Sequence, residues 1–254
     1  MTLIEKRHSQ ILEILQKQGS MSVLDLANQL EVSSVTIRKD LSLLEEKELL
    51  FRNHGRAILI NPYINDRHIN EKEKLYMEEK RQIGIRAAEL IYSNDSIIIA
   101  SGTTMHAFAR QIRVKERLTA ISAALDVTNI LARVRDIDII QLGGFVRNTS
   151  LSIVGNYAEK MLEDFSCSKL YLGVDGIDLD YGLTTTNAME ATLNRMMMKV
   201  SQKTIVLADS SKFGRRGFSK ICDLDSIDHI ITDKNICQKT LESLNERGIE
   251  ISTV

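Results

Sequence analysis

Several residue types are scarce in this 254-residue sequence. It has no tryptophan, one proline and three cysteines, Cys167, Cys222 and Cys237. Because the cysteines are far apart and form no C-x-x-C pair, the sequence favours neither a disulfide scaffold nor a zinc site, and a reducing cytoplasm is the expected environment. The five histidines show no ligand spacing, so no metal or cofactor is expected. No apolar run approaches the roughly 18 residues of a membrane-spanning helix, so no membrane partner is expected.

An excess of either charge is also missing. The chain has 33 Lys and Arg against 34 Asp and Glu, a formal net charge of -1. This balance excludes a histone-like polycation and gives no general attraction to nucleic acid, so any such site must be local. A content of 43% hydrophobic and 26% charged residues is typical of an ordered globular protein.

The single proline, Pro62, marks the expected boundary between two unlike domains, because proline cannot donate a hydrogen bond to a helix or a sheet. Residues before it show helical periodicity, whereas apolar β-branched runs alternate with amphipathic helical patterns after it. We therefore predict a helical domain at residues 1–60, a linker at residues 61–74 and an α/β domain at residues 75–254.

The first domain has the pattern of a helix-turn-helix followed by a β-hairpin. Ser22 and Ser33 are placed to cap two short helices joined by a tight turn, and apolar residues repeat at helical spacing in the second helix. The run from Leu49 to Leu59 indicates two short strands around a turn at Gly55. Together these elements predict a winged helix-turn-helix.

The start of the second helix and the wing carry the residues that we expect to contact DNA. Small side chains at a helix start permit close approach to a major groove, and cations can contact phosphates or guanine edges. A helical cap or a dimerisation motif is the alternative, since residues 1–60 hold eight basic and eight acidic residues. The predicted DNA-binding residues are Ser33, Ser34, Val35, Thr36, Arg38 and Lys39 in the helix and Arg52, His54 and Arg56 in the wing.

A specific motif runs through the same region. Val32-Ser33-Ser34-Val35-Thr36-Ile37-Arg38-Lys39-Asp40-Leu41 and Arg52-Asn53-His54-Gly55 are its central parts. The motif closely resembles the N-terminal winged helix of the DeoR family of bacterial sugar-metabolism regulators. The resemblance implies a transcriptional regulator, usually a repressor, that binds double-stranded operator DNA. Family members usually have a second glycine after His-Gly, where this sequence has Arg56, which implies a stiffer wing tip with an extra phosphate contact.

In the second domain, seven apolar runs rich in β-branched residues predict strands, and helical patterns lie between most of them. Such alternation predicts a mostly parallel sheet with both faces covered, whose ligand sites lie beyond the carboxyl ends of the strands. The predicted strands are Ser96–Ala100, Leu118–Ser122, Ile137–Leu142, Lys169–Val174, Thr204–Ala208, His229–Thr232 and Ile249–Thr253.

Polar and glycine-rich segments follow several of these strands. A small-residue loop that opens a helix favours a phosphate, because its N–H groups, hydroxyls and helix dipole point outward; a simple helix cap is the alternative. Each of the other segments is equally compatible with a turn or a surface charge, but together they favour a pocket for a polyhydroxylated, phosphorylated ligand. The candidate residues are Ser101, Gly102, Thr103 and Thr104 after the first strand, Gly143, Gly144 and Arg147 after the third, Asp175 and Gly176 after the fourth, and Lys212 after the fifth.

These segments resemble the C-terminal sensor domain of the DeoR family, which is similar in fold to ribose-5-phosphate isomerase. With the winged helix, the resemblance covers about residues 3–233, and the segments around Thr185 and Asn194 resemble regulators of amino-sugar or hexitol catabolism. The family generally has an aspartate before Ser-Gly-Thr-Thr, where this sequence has Ala100, so a carboxylate is missing from the loop. The resemblance implies that Ser101, Gly102, Thr103 and Thr104 hold the phosphate of a sugar phosphate, that Gly143 and Gly144 flank it, and that Asp175, Glu190 and Lys212 face the sugar.

A sugar-phosphate isomerase is the alternative function. It needs a carboxylate base near the substrate carbon and a cation near the developing enediolate, roles that Asp175 or Glu190 and Lys212 could fill. An isomerase has no need of an attached winged helix, so the sequence favours a regulator that is not an enzyme. Because one small winged helix makes few DNA contacts, we expect a homodimer or homotetramer whose interface the sensor domain supplies.

Overall fold

The computed structural model describes residues 3–18, 20–47, 49–53, 55–59 and 68–254. The chain divides into two compact units, Met1–Asn65 and Asp66–Val254. The predicted boundary residue Pro62 and the predicted wing residue His54 lie outside the described residues.

The first unit is a winged helix-turn-helix. Its elements are α1 (Leu3–Gln18), β1 (Ser20–Ser22), α2 (Val23–Gln29), α3 (Ser34–Glu46), β2 (Leu50–Asn53) and β3 (Arg56–Leu59). The three strands form an antiparallel sheet in the order β1-β3-β2, so the predicted wing is extended by a third strand, β1, that the sequence analysis did not predict. Fully buried Ile11, Leu26 and Leu41, one from each helix, form the centre of its core.

Local capping fixes where the helices of this unit begin. The backbone N–H of Asp25 donates to Ser22 Oγ over 3.1 Å, and the N–H of Thr36 donates to Ser33 Oγ over 3.1 Å. Each serine thereby satisfies one of the free N–H groups at a helix start. Both predicted caps are confirmed. Glu31, with φ 54°, forms the tight turn between α2 and α3.

The second unit alternates helices and strands along most of its length. Its elements are α4 (Ile69–Glu73), α5 (Met77–Ala88), β4 (Ser96–Ile99), α6 (Thr103–Ala109), β5 (Leu118–Ser122), α7 (Leu125–Leu131), β6 (Ile137–Gln141), β7 (Phe145–Arg147), β8 (Ser152–Val154), α8 (Asn156–Leu162), β9 (Lys169–Leu172), β10 (Gly176–Asp178), β11 (Gly182–Thr185), α9 (Ala188–Lys199), β12 (Thr204–Leu207), β13 (Ser219–Cys222), β14 (His229–Thr232), α10 (Gln238–Glu246) and β15 (Glu250–Thr253).

A seven-stranded parallel sheet organises this unit, in the order β15-β14-β12-β9-β4-β5-β6. Its strands are the seven predicted ones, with ends that differ by no more than two residues. The chain runs outward from β4 to β6, returns to β9 on the other side of β4, and continues outward to β15. The strand order therefore reverses between β4 and β9, and in open α/β sheets ligands bind beyond the carboxyl ends of the strands at this switch point.

Apolar side chains cover both faces of the sheet. On β4, Ile98 belongs to the cluster on one face, whereas Ile97 and Ile99 belong to the cluster on the other. This alternation is that of a strand buried on both sides, and all three side chains have no exposed surface. The predicted α/β fold class is confirmed.

Among the described helices, none is long and apolar enough to cross a membrane.

Three features of the second unit were not predicted. The antiparallel sheet β10-β11-β13 and the hairpin β7-β8 are built from strands of three or four residues, too short for a clear periodic signal. Residues 69–73, placed in the predicted linker, form α4 instead. Ile69 is 4% exposed, and its N–H donates to Thr149 O over 2.7 Å, so α4 is packed on the second unit.

Candidate functional site

The first candidate site is the exposed start of α3. Ser33, Val35, Arg38 and Lys39 are exposed, and Val35 keeps 58% of its surface accessible although it is apolar. Ser34 and Thr36 are half-buried. The opposite side of α3 carries buried residues that belong to the core of the unit. The helix therefore presents small side chains and two cations on one outer surface, as a groove-reading helix does.

A buried carboxylate fixes α3 against α1. Asp40, 3% exposed, accepts hydrogen bonds from Arg7 Nε over 2.5 Å and from Arg7 Nη2 over 3.0 Å. His8 Nε2 lies 3.2 Å from Asp40 Oδ1. The bidentate contact sets the position of α3 in the unit. The sequence analysis gave Asp40 no role, because its partners lie more than 30 residues away in the sequence.

Arg52 of the predicted wing has a partner within the first unit. Its Nε donates to Glu45 Oε2 over 2.7 Å and its backbone N–H donates to Glu45 Oε1 over 2.8 Å. Arg52 thus attaches β2 to the end of α3, and Glu45 holds the Arg52 side chain in place. Arg56 is exposed at the start of β3, and Gly55 has φ +76° in the turn before it.

The second candidate site lies at the switch point of the large sheet. After β4 the chain passes through Ser101 and Gly102, which are half-buried, and Gly102 has φ +119°. Thr103 and Thr104 begin α6 and are buried. The loop after β9 approaches closely, since a Cβ built on Gly173 would lie 3.0 Å from Ser101 O. The structure therefore brings the predicted loop after the first strand and the predicted loop after the fourth strand together.

Asp175 is the charged centre of this site. Lys72 Nζ of α4 donates to Asp175 Oδ1 over 2.9 Å, while Thr185 Oγ1 and the N–H of Thr186 donate to Oδ2 over 3.0 and 3.2 Å. Burial alone would raise the pKa of Asp175, but the charge and hydrogen bond of Lys72 and the charge of Lys212 lower it far below its ordinary value. The carboxylate is therefore ionised and partly accessible, with a quarter of its side chain exposed.

Glu190 and Arg147 form a second polar group beside Asp175. Arg147 Nη1 lies 2.6 Å from Glu190 Oε1, and the two side chains are only 7% and 11% exposed. Ser150 and Ser152 donate to the same oxygen over 2.7 and 2.6 Å. Thr185 connects the two groups, because its Oγ1 lies 3.0 Å from Asp175 Oδ2 and 3.4 Å from Glu190 Oε2.

The loop after β12 adds two further charged groups. Lys212 is half-buried and ends a short 3-10 helix that begins at Ser210. Asp209 is fully buried, and the N–H of Ser211 donates to its Oδ1 over 3.1 Å. Among the described residues, none donates a hydrogen bond to Asp209 Oδ2. Since β12 lies next to β9, this loop borders the Asp175 loop.

The predicted glycines have other surroundings. A Cβ on Gly176 would lie 2.5 Å from Arg215 O, and one on Gly144 would lie 2.8 Å from Val154 O, so both positions are closely packed against backbone. Gly143 and Gly144 line a groove with Tyr157, Lys160, Met161 and Asp164. They follow β6, which is separated from β4 by β5. The structure therefore does not bring them into the cluster around Asp175.

The site around Asp175 can bind an anion and hydroxyl groups. Lys72 and Lys212 supply positive charge, and the partly exposed carboxylate of Asp175 supplies an acceptor, whereas Asp209 is buried beneath the loop. The sequence analysis missed Lys72, which lies in the predicted linker, and Thr185, Thr186 and Asp209. Thr185 ends β11, Thr186 follows it and Asp209 follows β12, so a hydroxyl or acidic residue at a strand end was the available signal for these three. Among the described residues, no three His, Cys, Asp or Glu side chains are grouped to hold a metal ion.

Two family profiles match the two units of the chain. The profile of the DeoR-like helix-turn-helix domain matches residues 7–63, and that of the DeoR C terminal sensor domain matches residues 76–234. The putative aga operon transcriptional repressor of Escherichia coli O157:H7 is 37% identical over 98% of this chain and 93% of its own. The uncharacterized HTH-type transcriptional regulator YulB of Bacillus subtilis is 32% identical over 99% and 97%. Ribose 5 phosphate isomerase A from Neisseria gonorrhoeae matches 59% of this chain and 57% of its own, with 20% identity and a TM-score of 0.40.

A helix-turn-helix domain joined to a sensor domain defines a DNA-binding transcriptional regulator. The chain belongs to the DeoR family, whose two profiles together match most of its length. The predicted family and the predicted regulatory function are confirmed. The relatives reported above with 30% identity or more are named as transcriptional regulators, so the regulator is favoured over the isomerase.

Proposed function

We propose that this protein represses a sugar-catabolism operon and that a phosphorylated sugar, bound at the switch point of the second unit, weakens its binding to operator DNA. The observation that carries the proposal is the placement of Lys72 and Lys212 around Asp175, beside the Ser101–Thr104 loop. A sugar phosphate needs cations and N–H groups for its phosphate and acceptors for its hydroxyls. Both kinds of group are present here within neighbouring loops.

Each group has a role in the proposed complex. The phosphate is held by the hydroxyls and N–H groups of the Ser101–Thr104 loop and by Lys72 and Lys212. Sugar hydroxyls donate to Asp175, a quarter of whose side chain is exposed. Arg147 and Glu190 neutralise each other in a buried contact, so we propose that they position Thr185 and do not bind the sugar directly.

Operator recognition belongs to the first unit. The exposed start of α3, with Val35, Arg38 and Lys39, enters the major groove, while Ser33, Ser34 and Thr36 lie close to the DNA backbone. Arg56 contacts phosphate from the wing, and Arg52 holds the wing in place through Glu45. Binding to chromosomal DNA implies a cytoplasmic protein. A symmetric homodimer or homotetramer supplies the two or more winged helices that a palindromic operator requires.

Asp175 and Glu190, the two candidate bases, are poorly suited to isomerase chemistry. An efficient general base at neutral pH has a pKa near 7, whereas the pKa of Asp175 is held far below its ordinary value. Glu190 is paired with Arg147 and accepts further hydrogen bonds from two serines. Asp175 is therefore a weak base, and Oε1 of Glu190 is already occupied by an arginine and two serines.

A thermal-shift screen tests the effector site. Purified protein is screened against amino-sugar 6-phosphates, hexitol phosphates and hexose 6-phosphates, each paired with its unphosphorylated sugar. A ligand that binds only the folded state raises the melting temperature, so at least one phosphate should give a shift that its sugar does not give. Lys72→Met should reduce that shift, because it removes a cation and leaves Asp175 without its partner.

Lys74→Met is the matched control. Lys74 is exposed in the turn after α4, two residues from Lys72, so its replacement should leave the shift unchanged. Incubation of each active compound with the protein should show no turnover. Turnover would support the isomerase, and an undiminished shift in Lys72→Met would remove α4 from the site.

A further inference from the structure

A stripe of exposed side chains runs along α8 on the side away from the core. Ala158 and Leu162 are buried, whereas Tyr157, Lys160 and Asp164 are exposed and Met161 is half-buried. Positions i, i+3, i+4 and i+7 form one face of a helix, so these four residues share that face at and just beyond the end of α8. Tyr157 has 72% of its surface accessible.

The neighbouring hairpin extends the apolar part of this surface. Phe145 begins β7, is 65% exposed and pairs with Val154, which precedes α8 by two residues. Gly143, two residues before Phe145, donates its N–H to Met161 Sδ over 3.3 Å. The glycines, Tyr157 and Met161 border an open groove of about 500 Å³. Exposed aromatic and methionine side chains around a groove are typical of a protein contact surface.

Two opposite charges lie on either side of Met161 in the stripe. Lys160 and Asp164 are four residues apart, and neither side chain forms a hydrogen bond or an ion pair with any residue that the structure describes. Many charged side chains of the second unit are paired, including Lys72 with Asp175 and Arg117 with Asp138. The stripe therefore presents one free cation and one free anion about one helical turn, or roughly 6 Å, apart.

We propose that this surface, formed by Phe145, Tyr157, Lys160, Met161 and Asp164, is the two-fold interface through which a second copy of the chain binds. In a two-fold interface, residue i of one copy faces residue j of the other, and j faces i. Two α8 helices placed antiparallel across the axis bring each Lys160 against the Asp164 of the other copy. The surface is self-complementary in this arrangement, with Met161 between the two ion pairs and Tyr157 and Phe145 on the outer side of each pair.

The charge pattern favours a second copy over an unrelated partner. A single partner of one charge would satisfy either Lys160 or Asp164 and oppose the other. A second copy satisfies both with the same two residues. This interface rests on the self-association proposed above and specifies the surface that forms it. The sugar-phosphate site uses a different set of residues.

A charge exchange in the full-length protein tests the interface. Sedimentation equilibrium is used to measure the association constant of the wild type, Lys160→Glu, Asp164→Lys and the double variant. Each single change places like charges opposite each other, and we expect it to weaken association at least about tenfold. The double variant restores opposite charges with exchanged positions, and association should return to within about threefold of the wild type.

Lys239→Glu is the control, because Lys239 is exposed on α10, which packs beside β15 at the sheet edge opposite β6. It should associate like the wild type. At protein concentrations low enough for the chain to be monomeric, all variants should have the melting temperature of the wild type. Single variants that associate like the wild type, or a double variant that fails to recover, would overturn the proposal. A wild type that stays monomeric would overturn it together with the proposed self-association, while the thermal-shift response to sugar phosphates would still stand.

Discussion

Two glycines that the sequence places after strands, Gly143 and Gly176, have different surroundings in the structure. Both follow strands of the large sheet, and both were predicted to make room for a ligand. A Cβ on Gly176 would lie 2.5 Å from Arg215 O and 2.7 Å from Thr184 Oγ1, whereas one on Gly143 would have only Met161 Sδ near it, at 3.7 Å. The absence of a side chain therefore serves close backbone packing at Gly176 and leaves open space at Gly143.

This contrast gives a direct prediction. Gly176→Ala should lower the free energy of unfolding by about 1 to 3 kcal/mol, because the new methyl group overlaps backbone that cannot move easily. Gly143→Ala should change it by less than about 0.5 kcal/mol, as surface substitutions usually do. Urea denaturation measures both. Equal effects would mean that the close contact at Gly176 is absent in solution.

Single residues could be predicted from the sequence where their partners are local. Ser33 was identified as a cap because its acceptor role depends on Thr36, three residues away. Lys72 was missed because its partner, Asp175, is separated from it by 103 residues. Glu190 was identified only through the family resemblance, and its contact with Arg147 joins residues that are far apart in the sequence. Long-range pairing of polar groups leaves no periodic signal in a sequence.

At the scale of elements, the large sheet was the most predictable part of the fold. Its strands are runs of β-branched residues buried on both faces, and such runs are distinctive. The short strands of β10-β11-β13 carry threonine and glycine and lack that signal. α4 has five residues and is held by contacts with the rest of the unit, including Lys80 Nζ, which donates to Lys72 O over 2.7 Å.

His106 connects three helices and gives a prediction for pH dependence. It lies on α6 with 3% of its side chain exposed, 4.0 Å from Glu73 of α4 and 3.7 Å from Asp126 of α7. Burial lowers the pKa of His106 from its ordinary value, Asp126 and Glu73 oppose the change, and Arg110 and Lys80 reinforce it. The histidine is therefore protonated more readily in the unfolded chain than in the folded one.

The sign of the effect follows from proton uptake on unfolding. As the pH falls below about 6.5, the unfolded chain binds a proton at His106 that the folded chain does not bind, so the free energy of unfolding decreases. For a single group the slope is at most about 1.4 kcal/mol per pH unit. His106→Leu should have a shallower dependence between pH 7 and pH 5, measured by urea denaturation. A slope identical to that of the wild type would show that His106 does not titrate in this way.

At the scale of the whole molecule, the two proposed activities belong to two compact units. The first unit holds the surface expected to read DNA, and the second holds the cluster around Asp175. A regulator must couple them, and such coupling requires that the effector bind one arrangement of the protein more tightly than another. Self-association through the second unit would bring two winged helices together. In this account, a bound sugar phosphate changes the affinity for DNA by changing how the copies are arranged.

The most direct test of this account measures operator binding with and without effector. A duplex selected by the full-length protein from a random pool is titrated by fluorescence anisotropy, alone and with the sugar phosphate that gives the largest thermal shift. We predict that the phosphate weakens binding about 5- to 150-fold, the usual scale of allosteric coupling, and that the unphosphorylated sugar has no effect. Arg38→Ala should lose duplex binding and keep the thermal shift. A duplex affinity that is unchanged by every sugar phosphate that binds would contradict the account.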